Sequence, residues 1–199
     1  MAIAESKGAV IAQGYKLPRE LSVRDDVTLR LMDSDGSANF ALIEAHRDYL
    51  VRHIPYFANL DQKRAEQYYQ VRTPELIRTS QLAPYDIFQN GQLVGEACLQ
   101  SRRRNFAEFG YWLAEDAQGQ GIMTAAVGRL ATFGFEEWGL DSIYLDIAVS
   151  NHASKAVARR IGAHYVDTMS ASEMGIAYGA EELYELWETA KPTGAETYA

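Results

Sequence analysis

Residues 111–124 read Tyr-Trp-Leu-Ala-Glu-Asp-Ala-Gln-Gly-Gln-Gly-Ile-Met-Thr, and the fold prediction starts from this stretch. An apolar, aromatic strand leads into two glycines, and an apolar helix pattern follows them. The N-terminus of a helix presents unpaired backbone N–H groups at the positive end of the helix dipole. Glycine has no Cβ, so an anion can approach these groups closely. The stretch therefore predicts a strand–loop–helix junction that can bind a pyrophosphate.

Two common phosphate-binding motifs do not match this junction. A Walker A loop requires Gly-Lys followed by Ser or Thr, and the sequence contains no such tripeptide. A Rossmann fingerprint requires a third glycine, but Thr124 stands at that position. The chain after Trp138 is also too short for the further strand–helix units of that fold. From the loop alone, the alternative that Gly119 and Gly121 serve only the turn of an ordinary helix start stays open.

The segments around the loop predict a sheet. Asn90-Gly91 predicts a two-residue hairpin turn, because such turns need positive φ at both central positions. The strands expected here are 85–88, 93–99, 106–113, 142–149, 164–169 and 183–187. One helix is expected from the loop to about Trp138 and another over 154–161, while Arg102, Arg103 and Arg104 are expected in a loop. Strands followed by alternating strands and helices predict one mixed α/β domain.

The first third of the chain predicts helices after a short strand. Residues 1–24 show no sustained period and are expected to form an extended arm. The elements that follow are a strand over 27–32, a helix over 37–50, a helix within 61–71 and a short helix opened by Pro74. The expected organisation is thus an arm over 1–24, a domain over 25–190 and a tail over 191–199.

Composition excludes several classes of protein. The chain has 199 residues, 47% of them hydrophobic, as expected for an ordinary globular domain. Its one cysteine, Cys98, excludes a disulfide framework and a cysteine-based zinc site, and four scattered histidines predict no other metal site. Cys98 is expected in the core. The net charge of −8 disfavours a nucleic-acid partner and suits a cationic or amine-bearing one.

Neither a membrane anchor nor a leader sequence is expected. No stretch approaches the roughly 20 apolar residues that span a bilayer. Residues 1–14 lack the continuous apolar segment of a signal peptide. We therefore expect a cytoplasmic protein that has no membrane partner.

Four segments together resemble the GNAT superfamily of acetyl-CoA-dependent N-acetyltransferases. They are residues 106–113, 118–124, 149–154 and 161–163, and their combination is most similar to the subgroup that acetylates the N-terminal amine of ribosomal proteins (the RimJ/RimL type). The resemblance covers about 27–187 and is most specific over 108–162. It implies an α/β fold with a mixed, mostly antiparallel central sheet, flanking helices, acetyl-CoA as cosubstrate and no metal.

The resemblance also implies which residues bind acetyl-CoA. The strand from Tyr111 through Trp112 and Leu113 to Ala114 would lie along the pantetheine arm, and Asn151 and Ser154 would contact the same region. The pyrophosphate would bind the backbone of the loop residues Gln118, Gly119, Gln120, Gly121, Ile122, Met123 and Thr124. Met123 departs from the small residue with which the family's glycine pattern ends. Lys155, Arg159 and Arg160 are candidates for the 3′-phosphate, or else form a solvated helix face.

Acetyl transfer from a thioester needs a neutral amine, a proton acceptor and an acid for the leaving thiolate. Glu108 is the first candidate base, on the strand where many GNAT enzymes place a catalytic glutamate. Glu173 is the second, near the glutamate that the RimJ/RimL subgroup carries beside its peptide entrance. Many relatives place a tyrosine acid where this chain has Ala158, so Ser154 is the remaining hydroxyl. Asn151 and Ser154 also suit a plain helix N-cap.

The resulting prediction is an N-acetyltransferase whose acceptor is a primary amine, most closely a protein N-terminus. Two alternatives stay open: a small-molecule amine such as a polyamine, aminoglycoside or amino acid, and an acyl-CoA-binding module without turnover. The apolar, aromatic segment around Tyr184 and Trp187 is the candidate contact for a homodimer.

Overall fold

The computed structural model describes residues 16–33, 35–103, 105–173 and 183–191. Residues 1–15 of the predicted arm, Arg104 and residues 192–199 of the predicted tail lie outside these ranges. For Arg102 and Arg103 the structure describes the backbone alone.

Strands and helices follow one another in nearly the predicted order. The strands are β1 (Glu20–Arg24), β2 (Val27–Leu31), β3 (Leu82–Gln89), β4 (Gln92–Arg103), β5 (Phe106–Leu113), β6 (Ser142–Ala148), β7 (His164–Ser170) and β8 (Leu183–Ala190). The α-helices are α1 (Ser37–Ala45), α2 (Arg47–Leu50), α3 (Gln62–Glu66), α4 (Thr73–Arg78), α5 (Ile122–Glu136) and α6 (His152–Arg160). Short 3₁₀ turns cover Pro55–Asn59 and Glu115–Ala117, and a π-helical segment, Gln67–Arg72, joins α3 to α4.

All strands belong to one mixed sheet in the order β1-β2-β3-β4-β5-β6-β8-β7. Neighbouring strands run antiparallel except β5 and β6, which are parallel. The β3–β4 hairpin turns at Asn90 and Gly91, whose φ angles are +50° and +80°, as the turn prediction requires. The predicted mixed, mostly antiparallel sheet with flanking helices is therefore confirmed.

The two parallel strands pair only at one end. Their register joins Phe106 to Ser142, Ala107 to Ile143 and Glu108 to Tyr144. Beyond these pairs β5 continues to Leu113 and β6 to Ala148, and the described residues place no strand between them. The sheet therefore opens into a wedge at its centre, and the backbone of β5 is accessible from within that wedge.

Hydrophobic cores lie on both faces of the sheet. On one face α5 packs Val127, Leu130 and Phe133 against the strands. α5 is 15 residues long, and no helix in the described ranges is long and apolar enough to span a membrane. The opposite face packs against α1–α4 through a second cluster that includes Ile43 and Trp112. Alternation along β5 therefore directs Tyr111 toward the α5 face and Trp112 toward the α1–α4 face.

Three boundaries differ from the prediction. β1 pairs with β2 from Glu20 onward, so the last part of the predicted arm is a strand of the sheet. The single helix expected over 37–50 is divided at His46, whose φ of −119° leaves the helical region. β4 runs on to Arg103, so Arg102 and Arg103 lie in a strand and not in a loop.

The two aromatic residues named for a homodimer contact are buried within the chain itself. Tyr184 and Trp187 are each only 6% exposed, because both pack inside the chain. Trp187 belongs to the main core, and its ring makes an edge contact with Tyr165 at 6.1 Å between centroids. Their apolar character reflects burial within the domain.

Candidate active site

One large cleft passes through the wedge between β5 and β6 and reaches both faces of the sheet. Its volume is about 1430 Å³. On the α5 side it is lined by the glycine loop, the first turns of α5 and one face of α6. On the other side it is lined by α2, the π-helical segment and β4. A single cleft thus connects the glycine loop on the α5 face of the sheet with the space between the sheet, α2 and the π-helical segment on the other face.

The glycine loop has the geometry of an anion cradle. Gly119 and Gly121 have φ angles of +74° and +72°, a region that favours glycine. A Cβ built on Gly119 would meet no atom within 4 Å, so the space in front of the loop is open. Gly121 caps α5 without any side-chain cap, and the first helical hydrogen bond is Ala125 N–H to Gly121 O. The N–H groups of residues 122–124 are therefore available to an anion.

The loop is held from outside the cleft. The Arg24 guanidinium donates to the carbonyl of Gln120 at 3.1 Å and forms an ion pair with Asp26 at 2.7 Å. The side-chain oxygen of Gln120 accepts from Gln89 at 3.0 Å. These contacts fix the loop without placing a side chain in front of its N–H groups.

Most residues predicted to bind the cosubstrate line this cleft. They are Trp112, Leu113, Gln118, Gly119, Gly121, Ile122, Met123, Thr124, Asn151 and Ser154. Ala114 does not line it, since its N–H donates to the Val94 carbonyl and the residue is 1% exposed. Gln120 is also outside the lining, because its side chain is engaged on the outer side of the loop.

Ser154 lies beside a second hydroxyl that the sequence analysis did not identify. The Tyr111 hydroxyl and Ser154 Oγ are 2.6 Å apart, and both residues line the cleft. Burial raises the pKa of Tyr111 to about 12. The α6 N-cap is Asn151, whose Oδ1 accepts from the Ser154 N–H at 3.0 Å. The capping role therefore belongs to Asn151, and the Ser154 hydroxyl points to the tyrosine. Strand alternation is the signal that could have placed Tyr111 on this face.

The two predicted carboxylates occupy different environments. Glu108 is partly buried, lines the cleft and lies at the point where β5 and β6 separate. Glu173 is exposed and is not among the cleft residues. Its Oε2 accepts hydrogen bonds from the Ser170 hydroxyl at 2.6 Å and the Ser170 N–H at 2.8 Å. These hydrogen bonds lower the pKa of Glu173, which makes it a weaker base.

A third carboxylate, Glu96 on β4, was missed. It is partly buried, lines the cleft and lies opposite Trp112 in the β4–β5 register. Its Oε1 accepts hydrogen bonds from the Tyr69 hydroxyl and, at 2.8 Å, from Asn39 Nδ2. Burial raises the pKa of Glu96 to about 7. The available signal was one charged residue inside the otherwise uncharged strand segment 93–99.

The three basic residues of α6 lie in three different environments, which the sequence did not predict. Lys155 is buried, and its Nζ donates to the Val149 carbonyl at 2.8 Å and pairs with Glu185 at 3.0 Å. Arg159 lies 5.3 Å from the centre of the Trp187 ring. Arg160 lines the cleft, as does Arg129 of α5, which the sequence analysis overlooked. Among the described residues, these two arginines are the cations that line the α5 side of the cleft.

Cys98 also departs from the prediction. It was expected in the core, but it is partly exposed and lines the cleft. It faces the same side of the sheet as Glu96, two residues away on β4. Within the described ranges, no group of His, Cys, Asp and Glu side chains is placed to hold a metal ion.

Comparison with known sequences identifies a family. The family model described as Acetyltransferase (GNAT) domain matches residues 26–164. YdaF of Bacillus subtilis (strain 168), which bears the name of a ribosomal N-acetyltransferase, is 31% identical over 147 residues. That alignment covers 70% of this chain and 79% of YdaF.

Solved structures share the fold at lower identity. One is a Salmonella typhimurium acetyltransferase that modifies the N-terminal serine of ribosomal protein L7/L12, with a TM-score of 0.77 and 22% identity. It matches 87% of this chain and 99% of its own. Another is the microcin C7 self-immunity acetyltransferase MccE, solved with acetyl-CoA and AMP, with a TM-score of 0.76 and 19% identity. That match covers 87% of this chain and 97% of MccE.

The family match spans the glycine loop, the wedge between the parallel strands and the α6 cap, which are the parts that form the cleft. This chain belongs to the GNAT family and is an N-acetyltransferase.

Proposed function

We propose that this enzyme transfers the acetyl group of acetyl-CoA to the N-terminal amine of a protein, with a ribosomal protein as the acceptor class. One observation carries the proposal. A single cleft joins an anion cradle on one face of the sheet to a carboxylate-lined chamber on the other, through the wedge between β5 and β6. Such a passage lets a long cosubstrate and an amine meet at the sheet from opposite sides.

The residues on the α5 face fit the chemistry of CoA. The open N–H groups of residues 122–124 and the guanidinium groups of Arg129 and Arg160 suit phosphate groups. The part of β5 beyond Glu108 offers backbone groups to the pantetheine amides, as a strand would. The proposed order is thus phosphates at the loop, pantetheine along β5 and the thioester at the centre of the wedge.

Three side chains would handle the protons. The acceptor nitrogen forms a bond to the acetyl carbon, and the carbon–sulfur bond of the thioester breaks. Glu108, directly or through a water molecule, takes the proton that the amine loses. The Ser154 hydroxyl protonates the departing thiolate and recovers its proton from Tyr111, 2.6 Å away. Tyr111 then regains a proton from solvent, and Glu108 releases the amine proton to solvent, which restores the enzyme. Glu173 is the remaining candidate base, although its lowered pKa and exposure make it the weaker one.

The acceptor class rests on relatives. YdaF bears the name of a ribosomal N-acetyltransferase, and the Salmonella typhimurium enzyme modifies the N-terminus of L7/L12. A protein N-terminal amine has a pKa of about 8, so a carboxylate or a water chain suffices to deprotonate it near neutral pH.

The experiment offers the purified enzyme acetyl-CoA with peptides that have free N-termini, the same peptides already acetylated, and a panel of polyamines, aminoglycosides and amino acids. Thiol release and product mass are followed together. The proposal predicts acetylation of the peptide α-amine with equal thiol release. Preferred turnover of a small amine would replace the acceptor class, and CoA binding without any product would indicate a module without turnover.

A further inference from the structure

Glu96 is a partly buried carboxylate that forms no ion pair with any cationic side chain in the described part of the protein. Its neighbour across the strands is Asp86 of β3, which is 7% exposed, and Asn39 Nδ2 donates to both carboxylates, at 2.8 Å to Glu96 and 2.6 Å to Asp86. Neither forms an ion pair with a Lys, Arg or His of the described residues. Arg30 lies opposite Asp86 but pairs with Glu20 at 3.4 Å and stacks on Phe88. A desolvated carboxylate is costly unless a cation or a proton compensates it.

Aromatic rings surround this carboxylate on the cleft side. We name this part of the cleft the aromatic chamber, lined by Tyr49, Phe57, Tyr68, Tyr69, Glu96 and Trp112. The Phe57 and Trp112 rings meet edge to face at 5.9 Å, and the Tyr68 and Tyr69 rings at 5.1 Å. Aromatic faces attract cations, most strongly where water is excluded. The walls of the chamber and its carboxylate therefore favour the same kind of group.

A third neutral donor faces Glu96 in the same chamber. Trp112 is 7% exposed, and its buried indole Nε1 faces the Glu96 carboxylate, whose pKa it helps to lower. Glu96 is thus approached by the Tyr69 hydroxyl, Asn39 Nδ2 and the Trp112 indole, which are all uncharged. A basic side chain would supply the positive charge that these donors do not.

Glu96 is too far from Glu108 for both to act on one nitrogen. Glu96 lies opposite Trp112, and Glu108 lies four residues before Trp112 on β5. At about 3.3 Å per residue, their Cα atoms are separated by about 13 Å along the strand direction. A cation bound at Glu96 is therefore different from the amine at the point where the strands separate.

We propose that the aromatic chamber binds a basic side chain near the N-terminus of the acceptor, with Glu96 as its counter-ion. This inference rests on the proposed function and deepens it, because it names a sequence feature of the acceptor. A lysine at the second or third position reaches about this distance from the α-amine, since each extended residue spans about 3.3–3.6 Å.

The charge of Glu96 makes this recognition dependent on pH. The groups that face Glu96 are Tyr69 and Tyr68 from the π-helical segment, Asn39 from α1, Asp86 from β3, and Trp112 and Cys98 from the neighbouring part of the sheet. Arg72, at the end of the π-helical segment, also lines this side of the cleft and acts on Tyr68. Burial, together with Asp86, raises the pKa of Glu96 to about 7, and the Tyr69 hydroxyl opposes this rise. Lysine recognition should therefore weaken below pH 7.

The experiment uses pentapeptides with one lysine at position two or three, and matched peptides with norleucine there. Calorimetry measures their binding to the CoA-saturated enzyme, and initial rates give kcat/KM. Wild type should prefer the lysine peptides by about tenfold or more, equivalent to one well-placed charge. Glu96→Gln should remove the preference while it leaves norleucine peptides and CoA affinity unchanged. Glu108→Gln is the matched control, and it should lower the turnover of both peptide types alike.

Two outcomes would overturn the inference. One is equal affinity of the wild-type enzyme for lysine and norleucine peptides. The other is a Glu96→Gln variant that loses the same factor of affinity for both kinds of peptide. If Glu96→Gln does not fold, Tyr69→Phe keeps the carboxylate and removes a hydrogen bond that lowers its pKa. The lysine preference should then appear only at higher pH. Failure of the proposed function is distinguishable, because an enzyme that acetylates no peptide still reports lysine binding by calorimetry.

Discussion

Ser154 and Tyr111 form a pair of hydroxyls in the cleft, and their roles can be separated from the helix cap. The Asn151 side chain provides the capping oxygen, whereas Ser154 contributes only its backbone N–H to that hydrogen bond. The Ser154 hydroxyl contacts Tyr111 at 2.6 Å. A change at Ser154 therefore leaves the capping oxygen in place, whereas a change at Asn151 removes it.

We predict that Ser154→Ala and Tyr111→Phe each lower kcat with little effect on CoA affinity. Because the two hydroxyls act in one proton path, the double variant should lose little more than the worse single variant. Asn151→Ala should instead destabilise the fold by about 1 kcal/mol. Steady-state kinetics and thermal melts on the same preparations check this. Strictly additive losses from Ser154 and Tyr111 would contradict a shared path.

Glu96 also makes a prediction about stability. Its pKa in the fold is about 7, above the ordinary value of 4.5, so the folded state holds this proton more tightly than the unfolded chain. The contribution of Glu96 to the free energy of unfolding is therefore largest below about pH 4.5, and it is lost as the pH rises to about 7. Glu96→Gln removes the free-energy cost of a charged carboxylate in this desolvated position. Above pH 7 the variant should therefore be more stable than wild type by an amount on the order of 3 kcal/mol.

Urea unfolding at about pH 5 and about pH 8 measures this difference. The gap between Glu96→Gln and wild type should widen with pH. A gap that is constant or that narrows would show that Glu96 is not desolvated in the fold. Asp86→Asn serves as the comparison, since burial also raises the pKa of Asp86, to about 6.

At the scale of elements, the glycine loop and the first turn of α5 form the cradle. Gly119 and Gly91 allow a matched comparison, because both have positive φ and a Cβ on either would meet no atom within 4 Å. Gly119 lines the cleft, whereas Gly91 lies in the β3–β4 turn and does not. Alanine at either position carries the same backbone strain, about 1–2 kcal/mol.

We predict that Gly119→Ala weakens CoA binding by about tenfold or more, because its methyl group fills the space in front of the N–H groups. Gly91→Ala should lose similar stability and keep wild-type CoA affinity. Titration calorimetry with CoA gives both affinities, and melts give the stabilities. Equal CoA affinity of the Gly119→Ala and Gly91→Ala variants would show that the glycine loop is not part of the cosubstrate site.

The elements that the sequence predicted well are those with a strong local signal. The Asn90-Gly91 turn and the strand 106–113 were placed correctly because they show paired turn residues and clear alternation. β1 was missed although Leu21 and Val23 alternate with polar residues, because an alternation over only five residues is short, and the strand is defined by its pairing with β2. The break at His46 was missed because the apolar positions on both sides keep a helical period.

At the scale of the whole molecule, the wedge could not be derived from local patterns. It depends on where β5 and β6 stop pairing, and no residue type marks that point. The same holds for Tyr111 beside Ser154, which are 43 positions apart, and for Tyr69 beside Glu96, which are 27 apart. The family resemblance indicated the loop and the cap, but the carboxylate of the aromatic chamber became visible only through tertiary packing.

The central claim is that acetyl-CoA binds in the wedge with its sulfur at the Ser154–Tyr111 pair. A crystal structure of the enzyme with CoA tests this most directly. We predict the pyrophosphate on the N–H groups of residues 122–124, the pantetheine along β5 beyond Glu108, and the sulfur within hydrogen-bond distance of Ser154 Oγ. CoA bound outside the wedge, or with its sulfur directed away from Ser154 and Tyr111, would contradict the account.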